Sequence, residues 1–229
     1  MADLGTEPGE PKRLLWGPGD LQNYLIETSR GEEFLLDRRL YPDYFSLGLE
    51  GNQSLNNLRD KTHVFEQWST VGVNSNQREL KLHPIPKIGE HTHVRIAEVI
   101  KMAEEAEKQE GIDNVVGLNH SHGGFIHNPD RVQFSLADLY FIIGGTPIRG
   151  NRMVFLSLVA EDQNAFVFRS RDTSKLSSKL EKTRQLFESR WQHEWGSLEQ
   201  INYAIAEQYG LVIYRAKKDK PLKRMYPAI

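Results

Sequence analysis

The clearest periodicity in the chain lies at about 92–109, where Ile96, Val99, Ile100 and Ala103 recur with Arg95, Glu98, Lys101 and Glu105 around them. Apolar residues at i, i+3, i+4 and i+7 share one stripe of a 3.6-residue helix, so this stretch predicts an amphipathic helix, stopped by Gly111. Before it, 63–73 (HVFEQWSTVGV) and 79–86 (ELKLHPIP) flank the polar Asn74-Ser75-Asn76-Gln77, and Leu80 and Leu82 alternate with polar neighbours. Two such runs around a short polar turn predict a β-hairpin. Pro84 and Pro86 have no backbone N–H to give a ladder, so the second strand is expected to end there or to lie at a sheet edge. After the helix, Asp113 to Asn119 carries Val115, Val116 and Leu118, a short apolar strand expected at the centre of a sheet.

The second half continues the alternation. From Ser135 the apolar spacing is helical until Gly144-Gly145, and 153–160 (MVFLSLVA) with 165–169 (AFVFR) around Glu161-Asp162-Gln163-Asn164 predicts a second hairpin. Leu176, Leu180, Thr183, Phe187 and Trp191 mark a long amphipathic helix. Ser197 with Gln200 has the spacing of a capping box opening another helix, which Gly210 closes before a strand from Leu211 to Tyr214. Residues 1–19, dense in Gly and Pro, read as a loose tail, and a short helix is expected from an Asp20 N-cap to Ser29. Pro42, Gly48 and Gly51 break any pattern between Glu32 and Asp60, which reads as mostly irregular. No internal repeat or low-complexity segment interrupts this order. The fold class expected is α/β (α+β), a mixed central sheet flanked by helices: a core at 61–170, an N-terminal extension at 1–60, and a C-terminal helical extension at 171–229 ending in a strand and packed on the core.

Composition narrows what this fold could do. A length of 229 residues fits one unit with appendages and is enough to bury a real core. With a net charge of −2 the chain has no field that would gather nucleic acid or an anionic membrane, and the basic run Arg215–Arg224 (RAKKDKPLKR) reads as a solvated end. No apolar stretch approaches the roughly 20 residues of a membrane span, and the acidic, Pro/Gly-rich N-terminus lacks the basic and apolar segments of a signal peptide, so a soluble cytoplasmic chain is expected. Neither a Walker loop nor a Gly-x-Gly-x-x-Gly occurs. There is no cysteine, so any metal must be held by the 8 His together with carboxylates.

That restriction points to 118–138 (LNHSHGGFIHNPDRVQFSLAD), the densest group of potential ligands. Strand alternation puts His120 and His122 on one face, so both imidazoles could reach one ion while Ser121 points away. Asp138, in the first turn of the following helix, could supply a third ligand, because the positive helix N-terminus favours a carboxylate there. Ser135 to Asp138 also satisfies a plain capping box, which explains the pair without any metal. His91 and His93 form a rival pair at a helix start, where i and i+2 do not share a face, and His127 falls in the long loop.

His120-Ser121-His122 followed by Ser135-Leu136-Ala137-Asp138 resembles the signature of the JAMM/MPN-type metalloproteases, also called JAB domains. In that family an upstream Glu precedes His-x-His at a strand end and Ser-x-x-Asp opening a helix. The likeness covers roughly residues 60–170. The common pattern has Pro after the second His and a shorter spacer, where this chain has Gly123-Gly124; uncharacterised or toxin-associated bacterial members have a His-x-His-Gly and Phe-Ser-x-x-Asp arrangement closer to it. The resemblance implies a cytidine-deaminase-like JAB/MPN core and Zn2+ held by His120, His122 and Asp138. It also implies that Ser135 steadies the developing oxyanion. Glu66 on the first hairpin strand matches the family's general acid/base, a carboxylate that takes a proton from the attacking water and hands it to the leaving amine; Glu50 and Glu33 are the reserves. The function implied is a zinc-dependent hydrolase of peptide or isopeptide bonds, with a ubiquitin-like protein among the candidate substrates. The alternatives are a non-catalytic scaffold domain, or a metal-dependent hydrolase of another substrate.

Overall fold

The computed structural model describes residues 19–20, 41–46, 55–56, 67–74, 79–85, 101, 104–105, 108, 114–121, 133–144, 147–148, 151–152, 155–160, 162–169, 185, 189 and 197–226. In chain order the strands are β1 (Gly19–Asp20), β2 (Tyr44–Ser46), β3 (Gln67–Asn74), β4 (Glu79–Ile85), β5 (Asn114–Ser121), β6 (Pro147–Ile148), β7 (Asn151–Arg152), β8 (Phe155–Val159), β9 (Gln163–Arg169), β10 (Leu211–Lys217) and β11 (Leu222–Tyr226). Helix α1 (Leu136–Gly144) follows β5, and α2 (Leu198–Tyr209) precedes β10.

Nine of these strands form one mixed sheet in the order β1-β2-β11-β10-β9-β8-β5-β3-β4, while β6 and β7 pair separately. Hairpins β3–β4, β8–β9 and β10–β11 are antiparallel. The β5–β8 pairing is parallel, as a strand–helix–strand crossover requires, and places α1 between them in sequence. The first hairpin and the central apolar strand are thus where alternation predicts them. Strand β4 ends at Ile85 and occupies the sheet edge, consistent with the missing donors of Pro84 and Pro86. The second hairpin turns earlier than expected: Gln163 and Asn164 belong to β9, because Asn164 pairs with Val159 on one side and Ala216 on the other.

The helical face of the sheet buries the main core. Leu139, Ile142 and Ile143 of α1 and Ile201, Ile205, Ala206 and Tyr209 of α2 pack with Leu118, Leu156, Leu158, Ala165, Val167, Leu211 and Ile213 from the strands. Val115 and Leu118 both enter this core although they are an odd number of residues apart. The pairing explains it: Val71 faces Gly117 and Gly72 faces Val115, so Val116 is an extra residue, a β-bulge that resets the alternation. The other face is closed by aromatics, with Phe168 and Tyr214 meeting Tyr41 and Phe45 and with Phe166 stacked on Phe168, at ring separations of 5.0 to 6.2 Å.

Helix α2 is bounded as its sequence dictates. Ser197, extended at φ −150 and ψ 150, accepts from the Gln200 N–H, and Gly210 adopts the left-handed conformation at φ 64 that a side chain would disfavour. Lys101, Glu104, Glu105, Gln185 and Ser189 are helical, at positions where apolar spacing predicts helix, and Lys108, near the expected end of the first helix, is in a turn; the other residues of both predicted helices, and 21–29 of the one predicted from Asp20 to Ser29, lie outside the described residues. Asp20 itself is in β1 rather than at a helix start.

One further expectation is corrected: the basic run read as a solvated end belongs to the β10–β11 hairpin, turning through Asp219 at φ 58. The stretch read as mostly irregular also holds the short strand β2. Lys217, Lys218, Lys220 and Lys223 are exposed, but Arg224 donates to Asp43 at 2.6 Å and to the Tyr41 carbonyl at 3.0 Å. Strand β11 pairs with β2, a partner far away in sequence, so no local pattern reveals either strand. Strands from 1–60, 61–170 and 171–229 therefore share one sheet. Among the described residues no helix is long and apolar enough to cross a membrane.

Candidate metal centre

His120 is the penultimate residue of β5 and is fully buried on the helical face. Register places it beside Trp68 of β3, whose ring stacks on the imidazole at 4.5 Å and 18°, while the Phe134 ring lies 6.4 Å away. The ring is oriented by β8: Nδ1 lies 2.7 Å from the Ser157 carbonyl oxygen. A carbonyl only accepts, so Nδ1 carries a proton and Nε2 is turned the other way. Ser157 is itself tied by its hydroxyl, which donates to the Asn119 side-chain oxygen.

What Nε2 faces is Asp138, with Oδ1 3.4 Å away. Asp138 is in the first turn of α1, and its other oxygen, Oδ2, accepts from the Ser135 N–H at 2.8 Å. In return the Asp138 N–H donates to Ser135 Oγ at 3.2 Å. The capping box read from sequence is therefore formed, and it is compatible with ligation: one carboxylate oxygen serves the helix terminus and leaves the other aimed at His120. Ser135 Oγ accepts through a lone pair and keeps its own proton to donate.

The separation carries chemical information. An imidazole lone pair and a carboxylate attract only when a proton or metal ion lies between them. A charge-assisted N–H···O bond is about 2.7–2.9 Å long. Two ligands bonded to a tetrahedral zinc at about 2.0–2.2 Å sit about 3.4 Å from each other. At 3.4 Å the two groups stand within ion-pair range and also at the spacing of two ligands of one ion. A buried His with its second nitrogen on a backbone carbonyl is also the usual support of a metal-bound imidazole.

The structure thus brings together His120, Asp138 and Ser135 from the motif. His122 and Glu66 lie outside the described residues, as do Glu50, Glu33, His91, His93 and His127. Among the described residues no three His, Asp or Glu side chains gather at one point. Three contributors to the site were not singled out from sequence: Trp68, the Ser157 carbonyl and Phe134. A Trp two residues beyond Glu66 was visible, but its place against His120 depends on the β3–β5 register. No family model, curated protein or solved structure matches the chain.

Proposed function

We propose that this chain is a zinc-dependent hydrolase of a peptide or isopeptide bond, built on a cytidine-deaminase-like JAB/MPN core, with a ubiquitin-like protein among its candidate substrates. The observation that carries the reading is the His120 Nε2 to Asp138 Oδ1 spacing of 3.4 Å, with both side chains buried and each held by its far side. His120, Asp138 and, by the motif, His122 are the residues that would hold the ion. Bound there, zinc would polarise the scissile carbonyl and lower the pKa of an attacking water to about 7.

The protein's own groups divide the remaining work. Trp68 and the Ser157 carbonyl keep the imidazole in one tautomer and one plane, which limits the reorganisation needed on binding. Ser135, whose hydroxyl retains its proton, donates to the oxygen that becomes negative as the carbonyl is attacked. Glu66 is the base for the attacking water and then the acid for the leaving amine.

The test is metal content followed by turnover. The full chain, purified without chelators and supplied with zinc, is expected to hold about one ion per molecule and His120→Ala to lose it; an intact chain that takes up none refutes the reading. Against ubiquitin-like fusions, Glu66→Gln is expected to lower turnover by about 10²–10⁴-fold at unchanged zinc content. Full activity in that variant would reassign the base.

A further inference from the structure

Residues Gln133 and Phe134, which lead into the Ser135 cap of α1, lie outside any helix or strand, so their backbone polar groups must find partners elsewhere. Phe134 is buried, and both of its backbone groups are taken by one side chain. Its N–H donates to Asn202 Oδ1 at 3.0 Å, and its carbonyl accepts from Asn202 Nδ2 at 2.8 Å. A carboxamide presents one acceptor and one donor side by side, as a neighbouring strand's peptide would, so it can replace the missing ladder partner. Asn202 is fully buried on the core face of α2, between Ile201 and Ile205, where an apolar residue would otherwise be expected. Arg215 of β10 adds a second tie, donating to the Gln133 side-chain oxygen while its other terminal nitrogen donates to Glu199 at 2.8 Å.

We propose that Asn202 is a positioning residue for the candidate metal centre, clamping the Phe134 backbone so that the Phe134 ring stays beside His120 and the Ser135–Asp138 cap stays aimed at it. The inference rests on the function proposed above and deepens it. Asn202 and Arg215 belong to the C-terminal stretch, beyond the 60–170 segment that resembles the family, so part of the centre's geometry is built by the chain's own elaboration. Asn202 touches no reacting atom; it acts through the backbone one residue before Ser135.

The decisive comparison is Asn202→Ala against Ile205→Val, a neighbouring core change on the same helix that leaves the clamp intact. Zinc affinity is read by competition with a chromophoric chelator, and local order by amide hydrogen exchange across residues 134–139. Asn202→Ala is expected to weaken zinc by about tenfold or more, in the range of lost outer-shell support, and to speed exchange in 134–139 well beyond the control. Affinity and exchange both within twofold of the Ile205→Val control would overturn the proposal; so would weaker zinc binding with no faster exchange, because the effect would then not pass through this segment. If the intact chain binds no zinc, the proposed function fails and exchange alone decides the clamp. Should Asn202→Ala not fold, Asn202→Ser is used in its place, since its shorter side chain cannot span both Phe134 groups; it is expected to shift both readouts in the same direction.

Discussion

Asp138 concentrates the competing readings of the site in one side chain. As a cap it needs only an acceptor for the Ser135 N–H; as a ligand it needs a charged oxygen toward His120. Asp138→Asn keeps a side-chain acceptor and removes the charge, so it is expected to lower zinc affinity by about 10–100-fold with little change in the melting temperature of the zinc-free protein. Asp138→Ala is expected to lose the affinity and, in addition, about 1 kcal/mol of stability through the cap, measured by urea unfolding in chelator. Equal zinc affinity in the intact protein and the Asn variant would leave capping as the whole role. Zinc at a hundredfold excess over its dissociation constant is expected to stabilise the fold by about 2.7 kcal/mol, reversed by chelator. Tyr214 tests the opposite face of the sheet. Its hydroxyl donates to the Pro42 carbonyl at 2.5 Å, and burial holds the phenol well above its ordinary value, while Tyr203 is pushed up to about 12 by burial and its bond to Glu199. Raised phenol values mean that the unfolded chain releases protons first as the pH climbs past about 10. Stability is therefore expected to be full below pH 10 and to fall from there toward pH 12. In melts across that range Tyr214→Phe is expected to show a shallower fall, after costing about 1 kcal/mol at neutral pH.

At the scale of elements, α2 was largely legible because its stop and start are local chemistry. Ser197, Gln200 and Gly210 each act within one turn of the helix end, and the structure shows the N-cap bond and the left-handed glycine. Gly210→Ala is expected to destabilise by about 1 kcal/mol or more, since a Cβ is strained at φ 64, and Ser197→Ala by about 1 kcal/mol; both are checked by chemical denaturation. The first hairpin was legible for the same reason, with edge placement announced by two prolines. Strand β5 was legible as an apolar run but its bulge was not: nothing in Val115-Val116-Gly117 says that Val116 is the unpaired residue. That matters for the site, because a strand without the bulge would put Val115 and His120 on opposite faces. Of the β10–β11 hairpin the apolar start, Leu211 to Tyr214, was legible, but β11 was not, since its outer partner β2 is far away in sequence.

For the whole molecule, the sheet joins segments that sequence reading kept apart. Leu222 pairs with Phe45, and β10 runs the full length of β9. A chain ending at residue 170 would expose β9 as an edge and uncover the core face that α2 occupies, so it is expected to aggregate or stay unfolded, as circular dichroism and size-exclusion chromatography would reveal. A soluble, folded fragment of that length would show that the C-terminal strands are dispensable. The amino-acid sequence by itself determined which residues could take part: with no cysteine, any metal site would have to use histidine and carboxylate, and the His-x-His and Ser-x-x-Asp spacings pointed to the candidates. It also determined the helix caps and the first two hairpins, whose causes lie within a few residues. Only the tertiary structure decided which groups meet. Trp68 against His120, the Ser157 carbonyl on Nδ1 and Asn202 on Phe134 join residues 37 to 68 positions apart along the chain, or depend on strand register. Such contacts are fixed by how strands pair and helices cover them, and pairing is a property of the whole sheet, which no local pattern of polar and apolar residues encodes.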